Sequence, residues 1–278
     1  MKTHRKSILL RYLLPVIILV ALTFAFRHNQ NSKKPITHPR DYPAIAEEGI
    51  LRVATEYNSI SFHINEDTSL IGFHYELIEA FAHDMGLKAK ITPVMSYNER
   101  LNGLNEGKFD VIAYGIPATS EIKNDLLLTS PVALNRQVLV QRKKNGKNDS
   151  IYIKSQLDLA GKTLYVVKGS PTILRIQNLS NEIGDTIYTK EIEKYGPEQL
   201  IALVAHGDIN YAVCDESIAH AIADSLPQID SNTAISFTQF YSWAVSKQSQ
   251  TLLDSLNTWL YRFRQKGAYQ KIYQKYYD

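Results

Sequence analysis

The sequence predicts an α/β protein made of two doubly wound units, preceded by one N-terminal transmembrane helix. Short β-rich segments alternate with helical segments from residue 49 onward, and the alternation occurs twice. A polar run, residues 142–150, separates the two sets. An apolar run near the N-terminus approaches the length that crosses a bilayer. We therefore expect two lobes with a cleft between them.

The first unit has a βαβαβ order, which predicts a parallel sheet with helices on both faces. Apolar residues of Phe73–Met85 fall on one helical face, and Gly86 ends this helix. A capping box, Ser96–Glu99, opens a second helix that stops at Gly107. The predicted strands of this unit are Ile50–Thr55, Lys88–Pro93 and Val111–Tyr114.

The second unit follows a strand at Arg136–Gln141 and repeats the alternation. Pro197 suits a first helical turn and Gly207 a helix end, which defines its clearest helix. The predicted strands are Thr163–Val167, Thr186–Lys190 and Tyr211–Cys214, and the predicted helices are Ser170–Leu179, Pro197–His206 and Ser217–Ser225. A strand near Trp243–Val245, a helix at Leu252–Gln265 and a tyrosine-rich terminal helix complete the chain.

The N-terminal apolar run extends over residues 8–26 and is free of charge for 14 residues, from Leu13 to Phe26. Counted from Ile8, it reaches 19 residues, close to the roughly 20 that a membrane-spanning helix needs. Basic residues before it favour a cytoplasmic N-terminus. The preferred interpretation is an uncleaved anchor, residues 1–26, followed by a tether, residues 27–45.

Two alternatives to this anchor remain. A cleaved signal peptide would have an apolar region of this length, although no A-x-A site precedes Arg27 and no cysteine there could take a lipid. A buried core helix is the other alternative. An anchor or a signal peptide would export the rest of the chain. We therefore expect a single-pass protein of the bacterial inner membrane, with its body on the periplasmic side.

The distribution of charge excludes a polyanion-binding body. Residues 1–40 carry eight of the 31 basic residues and no acidic residue, which leaves 23 basic against 28 acidic residues in the remainder. No basic stripe with interleaved aromatic residues is present, so we predict no nucleic-acid binding.

The sequence also offers little for metal or cofactor chemistry. Cys214 is the single cysteine, which excludes an intramolecular disulfide and a thiolate zinc cluster. We interpret His74 and His83 as surface residues rather than metal ligands. Gly161-Lys-Thr163 resembles the end of a P-loop but precedes a strand, so no nucleotide, metal or other cofactor is predicted.

Candidate binding residues follow four predicted strands, where ligands of doubly wound sheets bind. They are Glu56–Asn58, Tyr114–Gly115, Gly169–Ser170 and Asp215. Each also has a structural interpretation: the glycines as turn residues, Tyr114 as core, Asp215 as a helix cap. Glycine before a helix N-terminus suits a carboxylate or phosphate, and Asp215 would accept a hydrogen bond from an ammonium group. Together they suit a zwitterion.

Three passages resemble the bacterial extracellular solute-binding proteins of family 3. They are Gly72–Leu77 with its helix to Gly86, Gly107–Asp110 before a strand, and Leu157–Lys162 before the first strand of the second unit. The resemblance covers roughly residues 46–278. Tyr75-Glu76-Leu77 is closest to the binding module of membrane-bound lytic transglycosylases, although we expect this chain to lack their catalytic domain.

The resemblance implies a two-lobed periplasmic-binding-protein fold of type II, with lobe 1 at residues 46–138 and 238–278 and lobe 2 at residues 139–237. Two hinge strands would let the cleft close on a ligand. The implied ligand-binding residues are Asn58, Phe62, Tyr75, Tyr114, Gly115 and Thr119 in lobe 1, and Gly169, Ser170 and Asp215 in lobe 2.

One position departs from the family pattern. Amino-acid binders usually carry an arginine that clamps the ligand carboxylate, where this chain has Ile122. Losing such a charge-assisted pair typically costs about 2–5 kcal/mol of affinity. We therefore expect the ligand not to be a free amino acid in the usual pose, unless Lys123 or Arg136 compensates.

The leading functional hypothesis is a non-catalytic binding protein that captures a small polar ligand, namely an amino acid, a short peptide or a cell-wall peptide fragment. It would serve transport or sensing, with a membrane transporter or a cell-wall enzyme as partner. An enzyme that uses Asp215 or Glu56 as general acid–base is the first alternative. A module that regulates a cell-wall lytic enzyme is the second.

Overall fold

A computed structural model describes residues 38–146 and 150–277 of the chain. The strands are β1 (Ile50–Thr55), β2 (His63–Ile64), β3 (Leu70–Ile71), β4 (Lys88–Pro93), β5 (Val111–Pro117), β6 (Leu126–Leu128), β7 (Ala133–Asn135), β8 (Gln137–Arg142), β9 (Thr163–Val167), β10 (Tyr188–Ile192), β11 (Ala212–Asp215), β12 (Ile229–Asp230) and β13 (Gln239–Ser246). The helices are α1 (Tyr42–Glu48), α2 (Phe73–Asp84), α3 (Tyr97–Asn105), α4 (Ser120–Asp125), α5 (Thr172–Ile183), α6 (Pro197–His206), α7 (Glu216–Ala221), α8 (Gln250–Gln265) and α9 (Ala268–Tyr277). One 3₁₀ turn spans Gln156–Leu159.

Two sheets form the framework, and each defines one lobe. The first lobe is built on a six-stranded sheet in the order β4-β1-β5-β13-β6, with β7 paired to β13. The second lobe is built on a five-stranded sheet in the order β10-β9-β11-β8-β12. The α/β architecture with two lobes agrees with the sequence prediction.

The chain passes between the lobes twice, at neighbouring places. Asn135 ends β7 in the first sheet and Gln137 begins β8 in the second, so Arg136 alone links them. The return follows Ser236, whose hydroxyl accepts a hydrogen bond from Gln137 N at 2.9 Å, and leads into β13. Exposed Phe237 lies on this return segment. Two short connections therefore run side by side between the lobes.

The parallel pairing predicted from the βαβαβ order is confirmed, and the strands that follow the two connections add antiparallel pairs. β1 pairs in parallel with β4 and β5, and β9 pairs in parallel with β10 and β11. By contrast, β13 runs antiparallel to β5, and β8 runs antiparallel to β11. A parallel neighbour requires a crossover within one sheet. β8 and β13 arrive from the opposite lobe, so they need no such crossover.

Strand β1 is buried on both faces, as the central strand of an α/β sheet requires. Leu51 and Val53 pack in the same cluster as Phe81 of α2, while Ala54 packs in the cluster of Leu104 from α3. These apolar faces hold the helices against the sheet and bring the carboxyl end of β1 to the edge that faces the second lobe.

The last part of the predicted tether is folded. Residues 42–48 form α1, which has Pro43 in its first turn and Asp41 as its N-cap. The Asp41 carboxylate also accepts a hydrogen bond from Leu252 N at 2.7 Å, and Ile45 is fully buried. Pro43 falls within the predicted tether, but proline is compatible with a first helical turn, so it does not prevent this helix.

Residues 8–26, the predicted membrane anchor, and the tether residues 27–37 lie outside the described residues. Within residues 38–146 and 150–277, none of the helices combines the length and apolar character that a bilayer crossing demands.

The interpretation of His74 as a surface residue is wrong, whereas His83 is exposed. His74 is 2% exposed because it lies on the sheet side of α2, and its Nδ1 accepts a hydrogen bond from Trp243 Nε1 at 2.9 Å. Complete burial lowers the pKa of His74 to about 3.

Candidate functional site

The carboxyl ends of β1 and β5 in the first lobe face those of β9 and β11 in the second. Between them lies an inner cavity of about 40 Å³, enough for a few water molecules. Residues of both lobes line it: Glu56, Tyr97, Arg100, Tyr114, Val167, Ser170, Pro171, Thr172, Pro197, Val213, Cys214, Asp215 and Ile218. The position agrees with the rule that ligands of such sheets bind beyond the carboxyl ends of the strands.

Asp215 ends β11 and directs its carboxyl group toward the first lobe. Its Oδ1 accepts a hydrogen bond from the hydroxyl of Tyr241 on β13 at 2.6 Å. Although Asp215 is the N-cap residue of α7, its side chain makes no capping hydrogen bond to the described chain, so the structural interpretation as a cap does not apply. Burial raises the pKa of Asp215 to about 7, the negative charge of Glu56 adds to the rise, and the Tyr241 hydrogen bond opposes it.

A buried ion pair forms the wall of the cavity on the first lobe. Arg100 of α3 lies 2.9 Å from Glu56, and their side chains are 2% and 3% exposed. The guanidinium stacks over the ring of Tyr114, with its central carbon 4.7 Å from the ring centre. It also donates to the carbonyl oxygens of Val94 and Met95, at 2.5 and 3.2 Å. Burial raises the pKa of Glu56, against the opposing effect of Arg100.

The wall on the second lobe contains polar atoms with unused hydrogen-bonding capacity. Within the described chain, the buried Oγ of Ser170 has no hydrogen-bond partner, and neither has Oε1 of Gln137, which lines the adjoining outer cleft. Helix α5 begins at Thr172, two residues later than predicted, and its N-terminus has no side-chain cap among the described residues. These donors and acceptors can serve a polar ligand without giving up a bond that they already make.

An outer cleft of about 650 Å³ adjoins the inner cavity, and Tyr97 and Pro171 line both. Thr119 and Ile122 line it from the first lobe, and Gly169 and Arg175 from the second. The Arg175 guanidinium is held by Glu182 at 2.6 Å. Spaces of this size accommodate an amino acid or a short peptide.

Contacts between described residues join the lobes across the cleft at several points. Ser59 N donates to the carboxylate of Glu198 at 2.7 Å, and Tyr241 bonds to Asp215 as described. Gly169 has φ +69°, and a Cβ atom there would lie 2.9 Å from the amide of Asn98. Only glycine permits both this backbone conformation and this approach of the lobes.

Five of the nine predicted binding residues line the cleft in the structure. Tyr114, Ser170 and Asp215 line the inner cavity, and Thr119 and Gly169 line the outer cleft. Gly115 is outside the described lining of both spaces, and a Cβ atom there would be 2.8 Å from the Tyr241 ring. Their contact with a ligand stays a prediction.

Asn58, Phe62 and Tyr75 lie outside the described lining of both spaces. Asn58 is buried, and its Oδ1 accepts hydrogen bonds from Ile60 N at 3.0 Å and Ser61 N at 2.7 Å. The Phe62 and Tyr75 rings make an edge contact at 5.6 Å. In this conformation Asn58 shapes the loop after β1, and the two rings support it.

Sequence reasoning missed Arg100, Tyr241 and Glu198. Arg100 could have been found, because it follows Tyr97 by three residues and precedes Leu104 by four, on the apolar face of α3. A charge on an apolar face predicts a buried partner. Tyr241 and Glu198 act across the cleft, so their neighbours in sequence give no such signal. Arg136, one of the two proposed substitutes for the missing clamp, is paired with Glu216.

Metal and thiol chemistry find no support in the described residues. No group of three or more histidine, cysteine, aspartate or glutamate side chains there is arranged to hold a metal ion. Cys214 is buried next to Asp215, and burial raises the pKa of its thiol well above the ordinary value. A thiol of this kind is a poor nucleophile.

Residues 51–278 match the model of a protein family described as bacterial extracellular solute-binding proteins, family 3. Membrane-bound lytic murein transglycosylase F of Photobacterium profundum is 27% identical over 244 residues, which cover 85% of this chain and 45% of that protein. The protein of the same name from Shewanella woodyi is 24% identical over 237 residues, covering 84% and 48%. The chain thus spans about half the length of the curated relatives it matches.

Solved structures of amino-acid-binding proteins share the fold. An ancestral arginine-binding protein bound to arginine superposes with a TM-score of 0.71 at 27% identity, covering 83% of this chain and 99% of that one. A mutant of the protein ArgBP from T. maritima superposes with a TM-score of 0.72 at 23% identity, covering 84% and 98%. With the family model matching residues 51–278, this chain belongs to the bacterial extracellular solute-binding proteins of family 3.

Proposed function

We propose that this protein is a non-catalytic extracytoplasmic binding protein that captures a small amino-acid-like or peptide-like ligand by closing its cleft. One observation carries the proposal. Asp215 and Ser170 of the second lobe and Tyr114 of the first lobe line the same inner cavity, at the carboxyl ends of the strands. A ligand that touches both lobes favours the closed form by the energy of those contacts.

The polar groups of the cleft suit a ligand with separated charges. Ionised Asp215 accepts hydrogen bonds from an ammonium group in place of the Tyr241 hydroxyl. Ser170 and the N-terminus of α5 suit a carboxylate as hydrogen-bond donors, because the Ser170 hydroxyl has no partner within the described chain and the first turn of a helix has N–H groups without intrahelical acceptors. Amino acids, short peptides and cell-wall peptide fragments all carry this pair of groups.

The outer cleft favours a peptide over a free amino acid. Ile122 lines it where amino-acid binders of the family usually carry a clamping arginine, so a ligand carboxylate finds no bidentate partner at that position. The cleft is also larger than a single amino acid requires. A peptide could place its terminal amine at Asp215 and extend past Thr119 and Gly169.

We also propose that residues 8–26 anchor the protein in the inner membrane as a single span and that the body lies in the periplasm. The length of the apolar run and the basic residues before it support this topology. Intact-mass measurement of the protein extracted from membranes tests it. A mature N-terminus near residue 27 would contradict the anchor.

Calorimetric titration with amino acids, dipeptides and muropeptides tests the binding function. We expect at least one ligand of this panel to bind the wild-type body and to bind Asp215→Asn about tenfold or more weakly, because the amide cannot pair with an ammonium group. Asp224→Asn, on the surface of the same lobe, is the matched control and should bind like wild type. A flat response from the wild type to the whole panel would contradict capture.

A second candidate function is regulation of a cell-wall lytic enzyme, which the relatives favour because they carry this module within a lytic murein transglycosylase. Ligand-independent co-purification with such an enzyme would support regulation in place of transport or sensing. Catalysis by Asp215 or Glu56 is the remaining alternative. Turnover of a bound ligand that Asp215→Asn abolishes, with binding retained, would establish it.

A further inference from the structure

Arg100 has surroundings that resemble a binding site for a guanidinium group. Its charge is paired with Glu56, its plane lies over Tyr114 and near Tyr97, and two carbonyl oxygens accept its N–H groups. A carboxylate, aromatic faces and carbonyl oxygens are the groups that proteins use to recognise a guanidinium or ammonium ligand. Here all of them come from the first lobe and surround a side chain of the same chain.

The side chain also accounts for the small size of the inner cavity. Arg100 is among the largest fully buried side chains of the described residues, and it lines the cavity beside Asp215. About 40 Å³ remains, which is far too little for an amino acid. Among the described lining residues, Arg100 is the one cation, and the same lining contains two carboxyl groups, those of Glu56 and Asp215.

We infer that Arg100 is an internal occupant of the cation-binding part of the cleft, so that its guanidinium fills the place between Glu56 and Tyr114 that a free cationic ligand would otherwise take. This inference rests on the proposed function, since it specifies which part of the cleft a ligand can use. The body of a ligand is then confined to the outer cleft, only its polar groups reach Asp215 and Ser170, and the guanidinium or ammonium group of free arginine or lysine is excluded from the place that Arg100 fills.

Truncation of the side chain should convert the internal site into one that is open to ligands. Arg100→Ala leaves two carboxyl groups and an aromatic face around new space, and this arrangement suits an external guanidinium. We expect Arg100→Ala to bind L-arginine and methylguanidinium about tenfold or more tightly than the wild type. Both ligands are titrated into the protein by calorimetry, and sodium chloride at equal ionic strength serves as the control titrant. Thermal unfolding of Arg100→Ala should shift upward with either ligand.

Two variants serve as controls. Arg52→Ala removes a partly exposed arginine that is paired with Glu48, so it should gain no binding. The double variant Glu56→Gln/Arg100→Ala also lacks the carboxylate of the site, so it should lose most of the gain in affinity. A folded Arg100→Ala protein with no gain would overturn the inference, and so would wild-type binding of L-arginine as tight as that of the variant.

The folding of Arg100→Ala is itself informative, because the substitution leaves Glu56 buried without its partner. If the variant folds only when methylguanidinium is present, as followed by circular dichroism, the place has been refilled from solution and the inference is supported. If it stays unfolded at every ligand concentration, the inference is contradicted. Failure of the wild type to bind any peptide concerns the proposed function alone and leaves these results interpretable.

Discussion

At the scale of single residues, burial and one hydrogen bond act on Asp215 in opposite senses. Burial disfavours its charged form, and the Tyr241 hydroxyl stabilises that form. The balance raises the pKa of Asp215 to about 7, so the carboxyl group changes its charge near neutral pH. The folded protein therefore binds a proton that the unfolded chain has released, in the range between the ordinary pKa and about 7.

Stability should consequently fall as pH rises toward 7. Between pH 5 and pH 7 the native state holds more protons at Asp215 than the unfolded state does. The free energy of unfolding therefore decreases as pH rises over this range, and Asp215 contributes about 2 kcal/mol of the decrease. Urea denaturation of wild type and Asp215→Asn at both pH values measures this, and the variant should show the smaller decrease. Asp224→Asn should behave like wild type. Equal pH dependence in wild type and Asp215→Asn would contradict the raised pKa.

The hydrogen bond between Trp243 and His74 gives a second prediction at this scale. Both side chains are buried, so His74→Leu leaves the indole N–H without an acceptor. We expect the free energy of unfolding to fall by about 1–3 kcal/mol, measured by urea denaturation at pH 7. His83→Leu on the exposed face of α2 is the control and should change it by less than about 0.5 kcal/mol. An unchanged free energy of unfolding in His74→Leu would show that the hydrogen bond adds no stability.

At the scale of elements, the segment between β3 and α2 is held by backbone contacts. Gly72 precedes α2, and its N–H donates to the Tyr276 hydroxyl of α9 at 2.8 Å. Its φ of +143° is a conformation that L side chains rarely adopt, and a Cβ atom would lie 2.4 Å from the Ser61 carbonyl oxygen. The start of α2, the loop after β1 and the terminal helix therefore meet at one glycine.

Gly72→Ala should destabilise the fold more than a glycine substitution without steric contact. Strain and the clash with Ser61 together predict a loss of about 3 kcal/mol or more. Gly86→Ala, at φ +66° with nothing within 4 Å of the new Cβ, should lose only about 1–2 kcal/mol. Chemical denaturation of both variants provides the comparison. Similar losses of stability in the two variants would show that the structure relieves the clash with Ser61 at no cost in free energy.

At the scale of the whole molecule, two short connections at Arg136 and Phe237 link the lobes, and polar contacts between described residues join them across the cleft. The Glu198 carboxylate at the N-terminus of α6 accepts from Ser59 N, and Asp215 accepts from Tyr241. Each hydrogen bond of this kind contributes about 1 kcal/mol, so the closed form is easily shifted. This suits a protein that closes on its ligand.

Glu198→Ala should shift the body toward an open form. Loss of the Ser59 contact is expected to raise the ratio of open to closed molecules about fivefold. Spin labels at the exposed positions Lys88 and Lys194, one on each lobe, report the change as a longer distance distribution by pulsed electron resonance. Glu193→Ala, which removes a pair with Lys168 inside the second lobe, should leave the distribution unchanged. Identical distance distributions for Glu198→Ala and Glu193→Ala would contradict a role of Glu198 in holding the lobes together.

The candidate site was predictable in part, and the reason differs between residues. Gly169, Ser170 and Asp215 follow strands that local patterns identify, and the rule on strand ends then places them at the cleft. Asn58 also follows a strand, but its side chain turns back to bond its own loop. Which way a polar side chain turns depends on the donors around it, and those donors are fixed only when the loop folds.

The sequence by itself determined the order and type of the longer elements, because caps, glycine stops and apolar periodicity act within a few residues. The helix predicted at Pro197–His206 and the strand at Thr163–Val167 have those bounds in the structure. Only the tertiary structure decided that β8 and β13 run antiparallel to their neighbours, that Glu56 is the partner of Arg100, and that Tyr241 reaches an aspartate 26 positions away. These contacts join residues distant in the chain, and no local period encodes them.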